Sequence, residues 1–333
     1  MRFRGVVFGW YHQRNAGDDR LAKCIELWLR DHDLTFLTHT APPPYEVLAN
    51  ADYVLLGGGS IAKEAHGVFQ DMARWVPEIG LPVFAVGIGL GNDPKLRLQL
   101  QTIPSSGGML WVRDQESIGW SGCQDKEVVF GPDLSWLYPL KFENLDRNIP
   151  VSLSMRPCRW REWNCVDWRD AFLAWKQAVS PWPLCFGRDD DRPVLNDVLG
   201  CKCVAHDFDP TVPSRSHLVV AMRYHAAAFA IQAGTPVVVV DNAAKVRELF
   251  RQSELPDSII SLQEPTKLSS ICERALHTQS SAQLEATTQR LRAEAWIVAD
   301  HFRERIEDAA TRQRRSNKGI VRRIGRRIWK SKK

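Results

Sequence analysis

An arginine and a histidine directly follow a strongly apolar segment in the second half of the sequence. The segment Leu218–Met222 continues into Arg223, Tyr224 and His225, and the apolar stretch after them ends at Gly234. Burying arginine and histidine costs free energy unless they have partners, and an anionic ligand would supply one. A guanidinium can bind a carboxylate or phosphate, and an imidazole can transfer a proton near neutral pH. The alternative is a histidine whose partners lie within the protein.

Two further cationic side chains follow apolar segments in the same way. Arg113 comes after Leu110–Val112, and Lys245 opens a helical pattern after Val237–Val240. An arginine at the end of a strand suits a carboxylate or phosphate, which its guanidinium binds in bidentate fashion. The alternative for Arg113 is an ion pair with Asp114. We expect these two cations, with the arginine and histidine above, to surround one small anion between two domains.

Two loops rich in small residues complete the candidate set. Gly58 and Gly59 belong to a run of three glycines after the apolar segment Tyr53–Leu56. Exposed backbone N–H groups there could bind an anion, or the run could form a tight turn. Asn15 and Asp18 follow the first apolar segment, where either could cap the next helix.

The elements that position these residues alternate along the chain. Strands are predicted at residues 6–8, 53–56, 83–86, 110–112, 151–155, 184–186, 218–222 and 237–240. Helices are predicted at residues 18–30, 67–79, 167–179, 225–233 and 244–252 and beyond 280. Such alternation is typical of parallel sheets in an α/β fold. Ligands of open parallel sheets bind outside the carboxyl ends of the strands, where the candidate residues lie.

The alternation stops at a polar segment that ends in a proline, Lys141–Pro150, and then restarts. A chain of 333 residues is also long enough for about two domains. We therefore predict an N-terminal Rossmann-like domain at residues 1–145 and a C-terminal one with a closing helix at 146–310. Residues 311–333 form a basic tail with an amphipathic pattern.

Charge is distributed unevenly. The chain has 44 basic and 39 acidic residues, and residues 311–333 hold 11 basic residues and none acidic. The remainder is therefore mildly acidic, which argues against a nucleic-acid-binding protein. No apolar run approaches the length of a membrane-spanning helix, and the N-terminal apolar stretch is too short for a signal peptide. These features predict a cytoplasmic protein.

No pattern in the sequence indicates a metal or a bound cofactor. The eight cysteines lack metal-ligand spacing. Gly87, Gly89 and Gly91 lack the spacing of a dinucleotide-binding loop. The run Asp189–Asp191 lacks the glycine and terminal glutamate of a calcium loop, and we predict a solvated turn there.

Taken in order, these motifs resemble those of the polysaccharide pyruvyl transferase family. The similarity extends from about residue 5 to residue 261, and the sequence departs from the family's usual pattern at Met222 and Tyr224. The motifs are Asn15-Ala-Gly17-Asp18-Asp19, Leu56-Gly57-Gly58-Gly59, Val112-Arg113-Asp114 with Ser117, Pro132-Asp133, and Arg223-Tyr224-His225 with Ala233-Gly234-Thr235-Pro236 and Lys245.

The resemblance implies a fold like that of GT-B glycosyltransferases, with two Rossmann-like domains that face each other across a cleft. It implies transfer of pyruvate from phosphoenolpyruvate, as co-substrate, onto two hydroxyls of a sugar in a polysaccharide or lipid-linked precursor. The product is a cyclic ketal, and phosphate is released. Carried over by motif, Arg113, Arg223 and Lys245 would bind the donor. His225 would be the acid, Asp18 a base or an acceptor contact, and Asn15 an acceptor contact.

Two other functions are compatible with the same residues. The first is a GT-B glycosyltransferase, with Arg223 and Lys245 on the diphosphate of a nucleotide-sugar. The second is a glycan-binding protein without catalytic activity.

The acceptor side and the tail provide the remaining candidates. Arg156 follows a predicted strand, and Trp160 belongs to a group of tryptophans that could stack on a sugar or fill the core. The tail sequence Gly319–Lys333 places isoleucine and valine on one helical stripe among basic residues. Such a helix can bind an anionic membrane surface, here the inner face, or remain solvated.

Overall fold

The computed structural model describes residues 2–42, 44–142, 145–157 and 164–330, with only the backbone given for 317–330. The chain divides into two compact units. Unit 1 comprises Met1–Trp10, Ala22–Leu134 and Trp296–Lys333, and unit 2 comprises Tyr11–Leu21 and Ser135–Ala295. This division differs from the predicted one because the loop after the first strand belongs to unit 2, and the end of the long helix belongs to unit 1.

Unit 1 is built on a six-stranded parallel sheet with the order β2-β1-β3-β4-β5-β6. The strands are β1 Arg4–Gly9, β2 Asp33–Thr38, β3 Tyr53–Ala62, β4 Val83–Leu90, β5 Leu110–Val112 and β6 Val128–Phe130. The helices between them are α1 Ala16–Trp28, of which residues 16–21 belong to unit 2, α2 Tyr45–Leu48, α3 Met72–Ile79, α4 Pro94–Leu100, α5 Thr102–Ser105 and α6 Gln115–Ser121. The central strands are buried along their length, as in a sheet covered on both faces.

Unit 2 contains a five-stranded parallel sheet with the order β11-β10-β9-β7-β8. Its strands are β7 Ile149–Ser154, β8 Val179–Pro181, β9 Ser216–Ala221, β10 Val237–Asp241 and β11 Ile259–Ser261. Its helices are α7 Cys165–Trp175, α8 Arg192–Leu199, α9 Val212–Arg215, α10 Tyr224–Gln232, α11 Ala244–Gln252, α12 Leu268–Thr278 and the first part of α13 Ser281–Lys330. β9 lies in the middle of the sheet, between β7 and β10.

The predicted fold class is confirmed: an α/β protein with two Rossmann-like parallel sheets and a long C-terminal helix. The predicted strand at 184–186 is wrong, because the strand is β8 and the chain leaves the sheet after Pro181. Pro183 has no N–H to donate, and Leu184 and Phe186 instead form backbone hydrogen bonds with Ala16 and Arg14. β2 was not predicted because its apolar pattern is weak.

The last part of α13 packs on unit 1. Phe302 lies against Trp111, with ring centroids 5.9 Å apart, and Arg303 donates to the carboxylate of Asp31. Further along, Arg314 Nε donates to Asp52 Oδ1 at 2.7 Å, and its guanidinium covers the ring of Phe3. Within the part of the chain that the structure describes, no helix is long and apolar enough to cross a membrane.

Candidate functional site

The predicted strand-end cluster of unit 2 forms at the carboxyl end of β9. The strand ends at Ala221, Arg223 occupies the N-cap position of α10, and His225 is the second residue of that helix. Both side chains are buried, each at 8% exposure. Met222 packs in the hydrophobic core, so this departure from the family pattern does not face the cluster.

Arg223 forms a buried ion pair with Asp191. Its Nε lies 2.9 and 2.7 Å from Oδ1 and Oδ2 of Asp191, and its Nη2 donates to the carbonyl of Asp189. Asp191 is fully buried and also accepts the backbone N–H groups of Leu184 and Cys185. The predicted solvated turn is therefore wrong for Asp191, because a buried guanidinium needs a buried counter-charge.

This pairing fixes both the charge and the orientation of Arg223. Burial disfavours the charged guanidinium, but the carboxylate of Asp191 outweighs that effect and raises the pKa of Arg223. The charge of Asp18 acts in the same direction. Among the described residues, no hydrogen bond involves Nη1 of Arg223. The arginine is thus a fixed cation rather than the uncompensated one that the sequence suggested.

Neighbouring side chains and the backbone of Gly17 pack closely around the imidazole of His225. Tyr224 meets it edge-on with ring centroids 5.1 Å apart, and Phe229 stacks on it at 6.1 Å. Gly17 covers its Nδ1 edge so closely that a Cβ there would lie 2.0 Å from Nδ1. Glycine at position 17 is therefore required by close approach to the histidine, which the sequence could not show.

Gly17→Ala is expected to destabilise the protein by about 1–3 kcal/mol, because the added methyl must displace the imidazole of His225. The gain in helix propensity from alanine offsets only part of this cost. Urea denaturation measures the change. The matched control is Gly119→Ala in α6, where an added Cβ would have no atom within 4 Å. That variant should be slightly more stable than the parent, and equal losses in both would contradict the close approach.

Asn15 and Asp18 lie beside this cluster in unit 2. The Asn15 Oδ1 accepts the N–H of Gly17 at 3.2 Å, and its backbone pairs with Cys185. Asn15 therefore has a demonstrated structural role at the start of α1, as the alternative prediction stated. Asp18 lies in the first turn of α1, within electrostatic range of Arg223.

The neighbouring strands of the sheet supply the other predicted residues of unit 2. Lys245 is half-buried in the first turn of α11, which follows β10, and half-buried Arg156 follows β7. Trp160 lies outside the described residues. Two buried polar atoms at these strand ends were not predicted: Ser154 Oγ and Asn242 Oδ1 form no hydrogen bond with any described residue.

In unit 1, Arg113 is buried at the end of β5. Its Nη1 forms an ion pair with Asp133, and its Nη2 donates to Ser60 Oγ at 2.8 Å. The alternative prediction was an ion pair within the domain, and the structure shows one with Asp133, while Asp114 caps α6 and accepts the N–H of Ser117 at 3.0 Å. The structure thus places Arg113 in a different unit from the three candidate cations of unit 2, and beside its own carboxylate.

Gly58 and Gly59 are buried within β3 rather than in a loop after it. Their φ angles of 48° and 85° are in the left-handed region, and the register between β3 and β4 shifts after Gly59. Glycine is favoured there because side chains rarely adopt such angles. The run therefore shapes the end of a strand in unit 1, whereas both alternatives predicted from the sequence, an anion-binding loop and a tight turn, placed it after the strand.

His39, also in unit 1, provides a pH-dependent prediction. Burial lowers its pKa to about 4, and Trp10 and Phe69 pack around its ring. In the unfolded chain this histidine is protonated near pH 6.5, but in the folded protein only near pH 4. The free energy of unfolding therefore falls as the pH decreases from 7 toward 4. Between pH 7 and pH 5 this group should reduce the free energy of unfolding by about 2 kcal/mol.

Urea denaturation of the parent and of His39→Gln at both pH values isolates the contribution of His39 to the free energy of unfolding. His32, whose pKa burial also lowers, is present in both proteins and cancels in the comparison. The pH dependence of the variant should be weaker by that amount. Identical slopes would show that His39 does not titrate between the two states in this range.

One group in the described residues has metal-ligand geometry: Asp31, His32 and Glu307 of unit 1. Arg303 donates to both carboxylates of this group. Its Nε donates to Glu307 Oε1 at 2.8 Å, and its Nη2 donates to Asp31. Arg303 already pairs with both carboxylates, so the group is explained as an ion-pair network.

Comparison with known sequences identifies one family. The model of the family described as polysaccharide pyruvyl transferase matches residues 212–243. This stretch contains β9, Arg223, His225 and the turn at Gly234 that leads into β10. No curated protein has a significantly similar sequence.

Solved structures show where this fold occurs. The UDP-GlcNAc 2-epimerase from Neisseria meningitidis, bound to UDP-GlcNAc, aligns with a TM-score of 0.56 at 13% identity over 91% of this chain and 100% of that chain. The glycotransferase of kitacinnamycin aligns with a TM-score of 0.53 at 11% identity, covering 92% and 100%. The calicheamicin glycosyltransferase aligns with a TM-score of 0.50 at 14% identity, covering 93% and 100%.

These identities are low enough that the likeness concerns the fold alone, which is the GT-B-like fold predicted. The family match falls on the strand-end cluster of unit 2 rather than on the rest of the chain. The protein is therefore similar over residues 212–243 to the polysaccharide pyruvyl transferases, on a fold shared with glycosyltransferases and epimerases, and this combination supports a glycan-modifying transferase.

Proposed function

We propose that the protein transfers the pyruvyl group of phosphoenolpyruvate to two hydroxyls of a sugar, forming a cyclic ketal. The observation that carries the proposal is the position of Arg223 and His225. They lie together at the carboxyl end of the central strand of unit 2, inside the stretch that matches the pyruvyl transferase family. The carboxyl ends of parallel strands are where such folds bind ligands.

The reaction balances without another co-reactant. A proton adds to the methylene carbon of the enol, and a sugar hydroxyl attacks the adjacent carbon to give a phosphorylated ketal intermediate. The second hydroxyl then displaces phosphate from that carbon, as its C–O bond to phosphate breaks. The two hydroxyl protons balance those gained by the new methyl group and by hydrogen phosphate. The proposed reaction uses phosphoenolpyruvate as co-substrate and no further cofactor.

The residues of unit 2 have properties that suit this chemistry. Asp191 orients Arg223, so Nη1 can donate to an oxyanion without a reorganisation of the guanidinium. We assign Lys245, in the first turn of α11 after the neighbouring strand β10, to the donor as a second cationic side chain. His225 is the proposed acid for the methylene carbon, and Asp18 is proposed to contact the acceptor or to accept a hydroxyl proton.

The orphaned polar atoms favour a polar ligand at this edge. Buried polar groups normally have hydrogen-bond partners, and leaving one unpaired costs about 1–3 kcal/mol. Two buried atoms lack such partners among the described residues: Ser154 Oγ, in the last residue of β7, and Asn242 Oδ1, in the residue after β10. We propose that both belong to the donor pocket, with the hydroxyl of Ser154 donating to the donor and a water satisfying the amide oxygen of Asn242.

Donor specificity tests the proposal directly. The full chain is incubated with phosphoenolpyruvate or with nucleotide-sugars, in the presence of sugar acceptors, and the released products are measured. We expect inorganic phosphate from phosphoenolpyruvate and a new ketal on the sugar. A thermal shift with phosphoenolpyruvate gives independent support, since a ligand at 100 times its Kd adds about 2.7 kcal/mol of stability. Release of nucleoside diphosphate instead would identify a glycosyltransferase.

We also propose that the C-terminal tail holds this enzyme at an anionic membrane surface. The backbone of α13 is helical to Lys330, and the sequence beyond Ser316 contains basic residues without an acidic one. Each basic residue near such a surface contributes about 1 kcal/mol. Arg314, near the start of the tail, pairs with Asp52 and anchors the helix to unit 1.

A chain cut after Ser316 keeps this anchor and therefore isolates the tail. Full-length protein should sediment with vesicles that contain phosphatidylserine, and the cut chain should remain in the supernatant. Equal recovery of the two chains would refute the membrane contact. Vesicles of phosphatidylcholine alone are the control for charge.

A further inference from the structure

A cavity of about 630 Å³ opens within unit 2, between the loop before α1 and the segment 206–210. Its volume is within the range of small-molecule sites. We call it the phenylalanine cavity, because three phenylalanines form part of its wall together with charged side chains of both signs. The residues that matter for its chemistry are Phe186, Phe208, Phe229, Arg14, Arg20 and Asp19.

The aromatic wall is held by neighbouring rings. Phe208 stacks on Trp182 with centroids 6.0 Å apart and packs against Phe229 at 5.7 Å. The guanidinium of Arg14 lies 5.7 Å from the centroid of Phe186. Because these contacts restrict the rings, their apolar surfaces are available to a ligand at small entropic cost.

The polar groups are positioned by contacts that leave most of their hydrogen-bonding capacity available. Arg14 Nη2 donates to the carbonyl of His206 at 3.0 Å, and Arg20 Nη2 donates to the carbonyl of Tyr138. Asp19 Oδ1 accepts the N–H of His12 at 2.6 Å. A guanidinium has five donors and a carboxylate about four acceptor sites. Arg20 Nε is buried and forms no hydrogen bond with any described residue.

The balance of charge selects the class of ligand. Two arginines face two aspartates, Asp19 and Asp207, so the wall has no excess of positive charge for a phosphate. Donors and acceptors at the rim of an apolar wall instead complement hydroxyls, which both donate and accept. A pyranose ring presents such hydroxyls at its edge and an apolar C–H surface on its face.

The cavity is separated from His225 by one side chain. Phe229 contributes to the cavity wall and stacks on the imidazole of His225 at 6.1 Å. On the other side, Ala16 lines the cavity and the next residue, Gly17, covers Nδ1 of the same imidazole. A ring bound in the cavity would therefore be separated from the proposed acid by the ring of Phe229.

We propose that the phenylalanine cavity binds a pyranose ring of the acceptor glycan, a role that rests on the proposed transferase function. The rings of Phe186 and Phe208 contact the C–H face, and Arg14, Arg20 and Asp19 bind the hydroxyls. None of these residues was among the acceptor contacts predicted from the sequence.

Saturation-transfer NMR on the full chain tests the site with methyl glycosides of glucose, galactose and mannose, each with and without phosphoenolpyruvate. We expect binding of at least one glycoside. Phe208→Ala and Arg14→Asn should each weaken that binding about tenfold, because each removes a contact worth roughly that factor. Asparagine is chosen at position 14 because its φ of 56° is left-handed, a region that asparagine tolerates.

Leu173→Ala, at an exposed apolar residue of α7 outside the cavity, is the matched control and should leave binding unchanged. Thermal unfolding of each variant shows that it is folded. Absence of binding for every glycoside, equal binding by Phe208→Ala, or displacement by equimolar inorganic phosphate would overturn the proposal. Glycoside binding that depends on the cavity, in a protein that releases no phosphate from phosphoenolpyruvate, would retain the site and reject the transferase function.

Discussion

His225→Ala is expected to lower phosphate release from phosphoenolpyruvate by about 10²–10⁴-fold, the usual contribution of a positioned acid. The substitution should leave the fold intact, because position 225 lies in the first turn of an alanine-rich helix in which alanine is favoured. The proposed proton transfer requires an imidazole that is held in place, and Gly17, Tyr224 and Phe229 hold it. The variant should still show the thermal shift with phosphoenolpyruvate, since Arg223 and Lys245 remain.

His217→Ala provides the matched control, because His217 is an exposed histidine on β9, the strand that leads to the cluster. It should release phosphate at the parent rate. A His225→Ala variant that also works at the parent rate would remove the proton-transfer role. One that loses the thermal shift as well would make His225 a binding residue instead.

The positions of Arg113, Arg223, His225 and Lys245 along the chain could be predicted because each directly follows a short apolar strand. The parallel sheets then bring the strand ends of each unit to one edge. In unit 2, β9 and β10 are neighbours, so the residues after them share that edge. Local pattern and sheet topology together therefore predict which residues of unit 2 collect in one place.

The partners of these residues could not be predicted, because they are distant in sequence. Asp191 lies 32 residues from Arg223, and Asp133 lies 20 residues from Arg113. One physical argument pointed to the partner of Arg223. A buried arginine requires a carboxylate, and the run Asp189–Asp191 contains three. A run of three aspartates is equally typical of a solvated turn. Only the burial at the start of α8 shows that Asp191 is the buried partner of Arg223.

The loop before α1 illustrates a second limit. By sequence it follows β1 and is expected to belong to the first domain, but Tyr11–Leu21 is part of unit 2. The antiparallel pairing of Asn15 with Cys185 fixes it there and brings Gly17 onto His225. Pro183 has no N–H group for the sheet, and Leu184 and Phe186 pair with the loop instead, which does not follow from apolar periodicity.

Asp191→Ala is expected to destabilise the protein by about 3–5 kcal/mol, the cost of leaving a buried charge without its partner. Arg223 would retain only the carbonyl of Asp189, and the N–H groups of Leu184 and Cys185 would lose their acceptor. The neighbouring Asp190→Ala is the matched control. Asp190 pairs with Arg192 near the surface, where an ion pair contributes at most about 1 kcal/mol. Urea denaturation of both variants compares the loss of a buried ion pair with the loss of one near the surface, at two adjacent aspartates.

A double variant separates the pair's net contribution from the penalty of an unpaired charge. Arg223→Met with Asp191→Leu removes both charges, and replacing a buried ion pair by apolar residues is often neutral for stability. We expect the double variant to recover most of the stability lost in Asp191→Ala and to remain inactive, because the donor arginine is gone. Recovery of stability without activity would assign the pair to ligand binding rather than to folding. Equal instability of the single and double variants would instead show that Asp191 acts mainly through its backbone hydrogen bonds, and would make it a structural cap of the loop at 184–185.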